Sequence, residues 1–145
     1  MIAPATEKDY PAIIELWELS VRATHHFLPE DYLQEIKRLL PTIFPRIQIY
    51  KWQDDGDTIT GFAGVAGDKM EMLFIHPRNM GQGLGRLLAE YCIHTLKADK
   101  VDVNEHNTDA VKFYKKMGYR QTGRRELDGM GRPFPLLEMK YVPQS

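Results

Sequence analysis

Apolar side chains recur every three or four positions in two stretches near the start of the chain. This spacing places side chains on one face of a helix, so it predicts two amphipathic helices. A break at residues 25–29 separates them, and Pro41 and Pro45 are expected to bound the end of the second helix. The apolar positions are Tyr10, Ile13, Ile14, Trp17 and Val21 in the first stretch, and Tyr32, Leu33, Ile36, Leu39 and Leu40 in the second.

Three stretches rich in β-branched, aromatic and other apolar residues follow, each bounded by residues that favour turns. Residues 46–53, 58–65 and 69–76 are predicted strands. The sequence Asp-Asp-Gly-Asp at 54–57 and the pair Gly-Asp at 67–68 separate them and are typical of hairpin turns. Consecutive strands joined by such short turns predict an antiparallel meander.

The second half of the chain predicts two more helices and three more strands. The helices are expected at 84–95 and at about 108–117, and the strands at 101–105, 119–127 and 136–142. A helical crossover joins the strand at 69–76 to the strand at 101–105, so these two are expected to run parallel. The predicted fold is therefore mixed α/β, with a mostly antiparallel sheet and helices on both faces.

Composition favours one domain, residues 1–145, and excludes several classes of protein. Apolar residues make up 43% of the chain and charged residues 27%, as in an ordinary globular domain. The net charge of −1 gives no electrostatic support for nucleic-acid binding. No apolar run approaches membrane-spanning length, and the first residues lack the features of a signal peptide. A single cysteine, Cys92, fits a reducing compartment, so a cytoplasmic location is expected.

Three glycines alternate at positions 81, 83 and 85, between a predicted strand and a predicted helix. Glycines leave successive backbone N–H groups uncovered, and a helix N-terminus adds partial positive charge, which suits the phosphates of a nucleotide-like ligand. The segment lacks the Gly-Lys-Ser/Thr of a P-loop. It also places Arg86 or Leu88 where a dinucleotide fingerprint requires its third glycine. A glycine-rich turn without a ligand is the remaining alternative.

A second segment, from Asn107 to Tyr119, favours one interpretation of these glycines. It follows the pattern Asn-x-x-Ala-x-x-Phe-Tyr-x-x-x-Gly-Tyr, one helix and one strand beyond the glycines. The two segments together resemble the signatures of the GNAT N-acetyltransferase superfamily. The resemblance covers essentially the whole chain, beginning with residues 3–13. It implies the GNAT fold, in which the central parallel strands splay apart, and it implies acetyl-CoA as the co-substrate.

The resemblance also implies which residues contact acetyl-CoA. The glycine segment would hold the pyrophosphate, with Met80 standing where the family usually has Arg or Gln. The backbone of Phe74 and Ile75 would pair with the pantetheine arm as an added strand does. Asn107 would contact the cofactor or cap the helix that follows. The full expected set is Phe74, Ile75, Met80, Gly81, Gln82, Gly83, Leu84, Gly85, Arg86, Asn107 and Tyr114.

Direct acetyl transfer to an amine needs a base for the amine, a donor for the carbonyl oxygen and an acid for the thiolate. The resemblance implies Tyr114 as the acid, because a phenol with a pKa of about 10 stays protonated at neutral pH. A backbone N–H near Phe74 or Ile75 is the expected donor. Three candidates for the base stay open: Glu71, Asp102, or ordered water alone.

The acceptor is the part that the sequence specifies least. The resemblance places His25 and His26 in the segment that shapes the acceptor site, where either would contact the acceptor or cap a helix. No spacing of His, Cys, Asp and Glu suggests a metal site. We therefore expect an N-acetyltransferase, monomeric or homodimeric, that acts on a primary amine of a small molecule or a protein. The alternative is a CoA-binding module or sensor with little catalysis.

Overall fold

One sheet of seven strands, covered by four helices, forms the part of the chain that the structure describes. The structure is a computed structural model, and it describes residues 1–143. Short 3-10 turns at residues 7–9, 44–46 and 77–79 join some of the elements. In chain order the elements are β1 (Ile2–Pro4), α1 (Tyr10–Thr24), α2 (Glu30–Ile43), β2 (Gln48–Gln53), β3 (Ile59–Ala66), β4 (Lys69–Ile75), α3 (Leu84–His94), β5 (Lys100–Asn104), α4 (Thr108–Met117), β6 (Tyr119–Arg125) and β7 (Leu136–Tyr141).

The sheet is antiparallel except at its centre. The strand order is β1-β2-β3-β4-β5-β7-β6, and β4 and β5 form the parallel pair. The strands β2, β3 and β4 form the antiparallel meander that the turn residues predict. Helix α3 supplies the crossover that a parallel connection requires. The prediction of a mostly antiparallel sheet with a parallel central pair is confirmed.

The parallel strands β4 and β5 stay together for only two residue pairs, formed by residues 69–70 and 100–101. At this point the register between β3 and β4 shifts between Gly64 and Val65, which leaves Glu71 as an extra residue on β4. Such a β-bulge bends its strand and changes the direction of the residues that follow. The bulge therefore accounts for the splay between β4 and β5, which the resemblance to GNAT proteins implies.

Two apolar cores lie on opposite faces of the sheet. Helices α1 and α2 cover one face, around Ile13, Trp17, Leu40, Phe44 and Phe62. Helices α3 and α4 cover the other face, around Ala63, Leu88, Cys92, Val101 and Met139. Burial raises the pKa of the Cys92 thiol to about 11, so this cysteine is an unreactive packing residue. Within residues 1–143, no helix combines the length and apolar character needed to cross a bilayer.

Helix α2 ends at Ile43, between Pro41 and Pro45 as predicted, and passes into the 3-10 turn at 44–46. A proline removes one N–H and crowds the preceding turn, but Pro41 lies in the last turn of α2 with its ring exposed to solvent. Leu39 is 38% exposed and not part of the buried face. Strand β6 ends at Arg125, two residues before the predicted end, because a long loop to β7 begins there.

Candidate functional site

The glycine loop, residues 80–86, takes its shape from two glycines in the left-handed region. The φ angle is 80° at Gly81 and 84° at Gly83, which is the N-cap of α3. The left-handed conformation costs free energy for a residue that has a Cβ, so the loop depends on both glycines. Gly85 differs, because it lies within α3 and a Cβ there meets Phe113 only at 3.5 Å.

The backbone N–H groups of the glycine loop are free to bind a ligand. The N–H of Leu87 donates to the carbonyl oxygen of Gly83 at 3.1 Å. In the described part of the chain, no N–H from residues 81–86 makes a hydrogen bond outside α3. Free N–H groups at a helix N-terminus favour a phosphate. The loop therefore fits a pyrophosphate, although Arg86 is already paired with Glu90 at 2.9 Å.

A cleft of about 360 Å³ joins the glycine loop to the splay between β4 and β5. Residues of the glycine loop and of the segment from Asn107 to Tyr119 both line it, so the cleft brings together the two segments that predicted the site. Of the expected cofactor contacts, the cleft does not include Gln82, Gly83, Leu84 and Arg86; Leu84 is buried beneath the loop. The lining residues are Ser20, Thr24, His25, Leu73, Phe74, Ile75, Met80, Gly81, Gly85, Asn107, Asp109, Ala110, Phe113 and Tyr114.

The free backbone edge of β4 consists of Leu73 and Ile75, not Phe74. The N–H of His76 donates to the carbonyl oxygen of Thr60 on β3 at 2.8 Å. Bonding direction alternates along an antiparallel strand, so Phe74 directs its N–H to β3, whereas Leu73 and Ile75 direct theirs into the splay. The expectation that the backbone of Phe74 faces the splay is therefore corrected. The side chain of Phe74 lines the cleft, and Leu73 supplies the backbone at the free strand edge.

Tyr114 lies on the side of α4 that faces the cleft. Its side chain is 7% exposed, and burial raises the pKa of its phenol above the ordinary value. The ring packs edge-on against Phe113 and Tyr119, with centroid distances of 5.2 and 5.1 Å. Among the side-chain hydrogen bonds of residues 1–143, none involves the Tyr114 hydroxyl, and Tyr114 lines both cavities. Tyr114 is thus a protonated donor whose proton is not committed to another group.

A second, narrower cavity of about 100 Å³ lies between the splayed strands. Its two carboxylates, Glu71 and Asp102, differ in their surroundings. Asp102 accepts hydrogen bonds from Lys69, at 2.8 Å, and from Arg125. Glu71 forms no ion pair within residues 1–143, and desolvation raises the pKa of its carboxyl. The residues shared by the two cavities are His25, Leu73, Phe74, Asn107, Ala110 and Tyr114.

His25 lies in both cavities, whereas His26 lies in neither and is exposed. Burial, together with the neighbouring His26, lowers the pKa of His25 to about 4, so its ring is neutral at pH 7. Its Nε2 atom lies 3.4 Å from Nδ2 of Asn107. Asn107 also caps α4, since its Oδ1 accepts from the N–H of Ala110 at 3.3 Å. The structure thus brings His25, but not His26, to the predicted site.

Four rings beside His25 form what we call the aromatic cluster: Phe27, Tyr32, His106 and Phe134. The centroid of Phe27 lies 5.4 Å from that of His25, 5.8 Å from that of His106 and 6.2 Å from that of Phe134. Tyr32 stacks on Phe134 at 5.2 Å with an interplanar angle of 17°. The cluster therefore extends from His25 towards α2 and the loop between β6 and β7.

Polar contacts hold the loop between β6 and β7 against α2. The hydroxyl of Tyr32 donates to Asp128, and Arg132 pairs with Glu35. The guanidinium carbon of Arg132 lies 4.4 Å from the centre of the Tyr32 ring, in cation–π range. Sequence analysis missed these residues, and no local signal could have found them. The bonded partners stand 96 and 97 positions apart in the chain.

The assembled site offers backbone N–H groups for anions, a free strand edge, a protonated phenol and an unpaired carboxylate. These groups suit acid–base transfer between a phosphate-bearing ligand in the cleft and a second group in the narrower cavity. Within residues 1–143, no cluster of three His, Cys, Asp or Glu side chains is placed to hold a metal ion.

Known proteins resemble this chain in sequence and in fold. A family model described as an acetyltransferase (GNAT) domain matches residues 33–141. The chain is 41% identical, over 129 residues and 89% of each protein, to the peptidyl-lysine N-acetyltransferase YjaB of Salmonella typhimurium. The solution structure of apo-form YjaB from Escherichia coli matches with a TM-score of 0.91 at 35% identity, covering 99% of this chain and 98% of that one. The PaiA N-acetyltransferase from Thermoplasma acidophilum, in complex with coenzyme A, shares the fold with a TM-score of 0.73 at 21% identity, covering 97% and 98%.

Proposed function

The chain belongs to the GNAT acetyltransferase family and is an acetyl-CoA-dependent N-acetyltransferase, and we propose that it acetylates lysine side chains of proteins. Transfer of an acetyl group to an amine follows from the family and from the named activity of its relatives. The lysine acceptor extends the named activity of the YjaB proteins to this chain. Those relatives are enzymes, which favours catalysis over the alternative of a CoA-binding module.

The observation that carries the proposal is the meeting of the two cavities at His25, Asn107 and Tyr114. The cleft on one side ends at the glycine loop, whose free N–H groups suit a diphosphate. The narrower cavity on the other side is lined by apolar side chains, among them Met72 and Val103, and by polar ones that include the carboxylates of Glu71 and Asp102. A lysine side chain is an alkyl stem that ends in an ammonium, so it matches a lining that combines apolar groups with carboxylates. In this arrangement the donor and the acceptor meet beside Tyr114.

The residues of the chain fit acetyl-CoA along the whole cleft. When bound, acetyl-CoA supplies the acetyl group as a thioester. We assign the glycine loop to the pyrophosphate and the free edge of β4, at Leu73 and Ile75, to the pantetheine arm. We assign an N–H of the same edge to stabilise the carbonyl oxygen as negative charge develops on it. Met80 supplies an apolar contact in the cleft.

Glu71 and Tyr114 divide the proton transfers between them. Glu71 accepts a proton from the lysine ammonium, and the freed nitrogen attacks the carbonyl carbon. As the C–N bond forms and the C–S bond breaks, Tyr114 donates its hydroxyl proton to the leaving sulfur. The acetylated nitrogen returns its surplus proton to the Tyr114 oxygen. Burial keeps Tyr114 protonated and makes Glu71 more basic, which favours both steps.

The acceptor is tested by supplying the purified enzyme and acetyl-CoA with two panels of amines. One panel contains lysine peptides and folded proteins, and the other contains small amines such as polyamines. Thiol release measures turnover, and mass spectrometry locates the acetyl group. We expect acetylation at lysine Nε, and none on peptides whose lysines are already blocked. Turnover of small amines with none on any lysine peptide or protein would overturn the proposed acceptor.

A further inference from the structure

A continuous chain of hydrogen bonds joins α1 to α4 across the cleft. The hydroxyl of Thr24 donates to the carbonyl oxygen of Ser20 at 2.8 Å. The same hydroxyl oxygen lies 2.7 Å from Nδ1 of His25. On the other side of the ring, Nε2 lies 3.4 Å from Nδ2 of Asn107, whose Oδ1 accepts from the N–H of Ala110 at 3.3 Å. These hydrogen bonds therefore connect the end of α1 to the beginning of α4, the helix that carries the proposed acid.

The direction of each hydrogen bond follows from the donors that are present. Thr24 has one hydroxyl hydrogen and gives it to Ser20, so Nδ1 of His25 must be the donor to Thr24. In the neutral ring, Nε2 then carries a lone pair and accepts from Nδ2 of Asn107. This orientation of the Asn107 amide also directs Oδ1 to the N–H of Ala110. The hydrogen bonds to Ser20 and to Ala110, at the two ends of this series, thus require one tautomer of His25 and one orientation of the Asn107 amide.

We propose that His25 is a positioning residue that orients the Asn107 amide for acyl-CoA, and that Thr24 holds His25 in the tautomer this requires. The Asn107 amide has two Nδ2 hydrogens, and His25 takes one of them. The second remains for a carbonyl group of acyl-CoA in the cleft that Asn107 lines. This role rests on the proposed function only in that Asn107 faces acyl-CoA. We assign His25 no contact with the reacting atoms.

The surroundings of His25 keep its ring in the accepting form. A protonated ring would present N–H groups to both Thr24 and Asn107, and Nε2 could no longer accept. Burial opposes protonation, as the pKa of about 4 reflects. The titratable groups around the ring are His26 on its own loop, Glu71 and Asp102 across the narrower cavity, Tyr114 on α4, Asp109 in the cleft and His106 in the aromatic cluster.

Holding Asn107 also holds the first turn of α4. Asn107 is the N-cap of this helix, and a side-chain cap fixes the direction in which a helix starts. Tyr114 lies seven residues further on, which is two turns and therefore the same face of the helix. The hydrogen bonds from Thr24 through His25 thus position Asn107 directly and Tyr114 through the helix.

The proposal predicts that CoA affinity, not acceptor affinity, depends on Thr24 and His25. Thr24→Val removes the hydroxyl at nearly constant volume, and His25→Ala removes the ring. His25→Gln retains a side-chain oxygen that can accept from Asn107. His26→Gln makes the same change at the exposed neighbour and is the matched control. For each variant, calorimetry gives the Kd of CoA, steady-state kinetics give the KM of a lysine peptide, and thermal unfolding monitors the fold.

We expect the Kd of CoA to rise roughly 3- to 10-fold in Thr24→Val and His25→Ala, the range for one lost hydrogen bond. His25→Gln should recover most of the affinity, and His26→Gln should match the wild type. Imidazole 15N spectra of the free enzyme should show the Nδ1–H tautomer for His25, and a mixture of tautomers in Thr24→Val. These spectra need neither CoA nor an acceptor, so they test the chain of hydrogen bonds even if His25→Ala does not fold.

Two results would overturn the positioning role. The first is an Nε2–H tautomer for His25 in the free wild-type enzyme. The second is an unchanged Kd for CoA together with a raised KM for the peptide, which would make His25 an acceptor contact. Wild-type enzyme that binds CoA but acetylates no lysine would instead refute the proposed acceptor, and the CoA affinities of the variants would still decide the role of His25.

Discussion

The glycine loop lines one end of the cleft, whereas the aromatic cluster lies beside His25, where the two cavities meet, and the two regions are built in different ways. The glycine loop is a single run of residues, 80–86, whose shape depends on two backbone dihedral angles. The aromatic cluster takes its rings from four segments, and the contacts that hold Tyr32 and Arg132 in place span 96 and 97 residues. The first region is a local structure, and the second exists only in the complete fold.

This difference bears on how the two substrates are recognised. A local loop binds the constant part of a ligand with backbone groups, which any sequence with the same glycines supplies. A cluster of side chains from distant segments can change one residue at a time while the loop stays the same. We therefore expect substitutions at the glycine loop to affect CoA parameters, substitutions at the contacts that hold the aromatic cluster against α2 to affect acceptor parameters, and substitution of Tyr114, where the two cavities meet, to affect kcat.

The largest effect is expected from Tyr114→Phe. This change removes the only proton that we assign to the leaving sulfur and keeps the buried ring. Because Tyr114 is almost fully buried, bulk water cannot readily replace the lost donor. We expect kcat to fall about 1000-fold, within the range for general acid catalysis, with the Kd of CoA unchanged. Stopped assays with a lysine peptide measure kcat, and calorimetry measures the Kd.

Tyr119→Phe is the matched control for this substitution. Tyr119 packs against Tyr114 at 5.1 Å, and its buried hydroxyl has no hydrogen-bond partner within residues 1–143. Removing that hydroxyl should leave kcat unchanged. If Tyr114→Phe also kept the wild-type kcat on every acceptor that turns over, Tyr114 would not be the acid.

A smaller effect, about 100-fold in kcat/KM, is expected from Glu71→Gln. Solvent reaches Glu71, so water can take over part of its role as base. The carboxylate is the basic form, so kcat/KM of the wild type should fall as the pH decreases through the pKa of Glu71. Desolvation raises this pKa, which moves the acidic limb of the profile to higher pH than for an ordinary glutamate. Glu71→Gln should abolish this limb.

Asp102→Asn distinguishes the two carboxylates of the narrower cavity. Asp102 is paired with Lys69 and Arg125, so we do not assign it the role of base. The Asp102→Asn variant should therefore keep the acidic limb of the pH profile, although the loss of these ion pairs lowers its stability. The pH profile of kcat/KM between pH 5 and pH 9 is the measurement. A limb that disappears in Asp102→Asn and persists in Glu71→Gln would exchange the roles of the two residues.

At the glycine loop, Gly83→Ala should weaken the binding of CoA about 10-fold. A Cβ at φ 84° costs about 1–2 kcal/mol, and the loop must either bear that strain or change its shape. Calorimetry with CoA measures the effect, and the KM of the peptide should not change. Gly85→Ala is the comparison, because Gly85 is helical and a Cβ there meets Phe113 at an ordinary contact distance of 3.5 Å. It should raise the free energy of unfolding by about 0.5–1 kcal/mol. Equal losses of CoA affinity in both variants would contradict the role of the left-handed conformation.

The comparison of the two regions also explains which parts of the molecule can be predicted from the sequence. Helical and strand periodicity predicts the mixed sheet, because the signal lies within each element. Pro41 and Pro45 also bracket the end of α2 at Ile43, because the effect of a proline on a helix is local. Tyr114 and Asn107 enter through a motif of consecutive positions, and both line the cleft.

Features that depend on register or on distant contacts escape such prediction. Leu73 replaces Phe74 at the free edge because the bulge at Glu71 determines which amides face the splay, and the bulge is visible only once β3 and β4 are paired. The pairing of Asp102 with Arg125 requires β5 and β6 to lie on either side of β7. The contact between Arg132 and Tyr32 has no counterpart in any local pattern.

The smallest effect is expected from Arg132→Gln, beside the aromatic cluster. The change removes the ion pair with Glu35 and the cation–π contact with Tyr32, both partly exposed, and each contributes about 1 kcal/mol or less. The loop between β6 and β7 should loosen, raising the KM of a lysine peptide about threefold while the Kd of CoA stays constant. Glu35→Gln removes the ion pair alone and should produce a smaller increase. The double variant should equal Arg132→Gln if the pair acts as a unit. A change in CoA affinity without a change in the peptide KM would show that the two regions are not separable, because the loop between β6 and β7 would then influence the glycine loop.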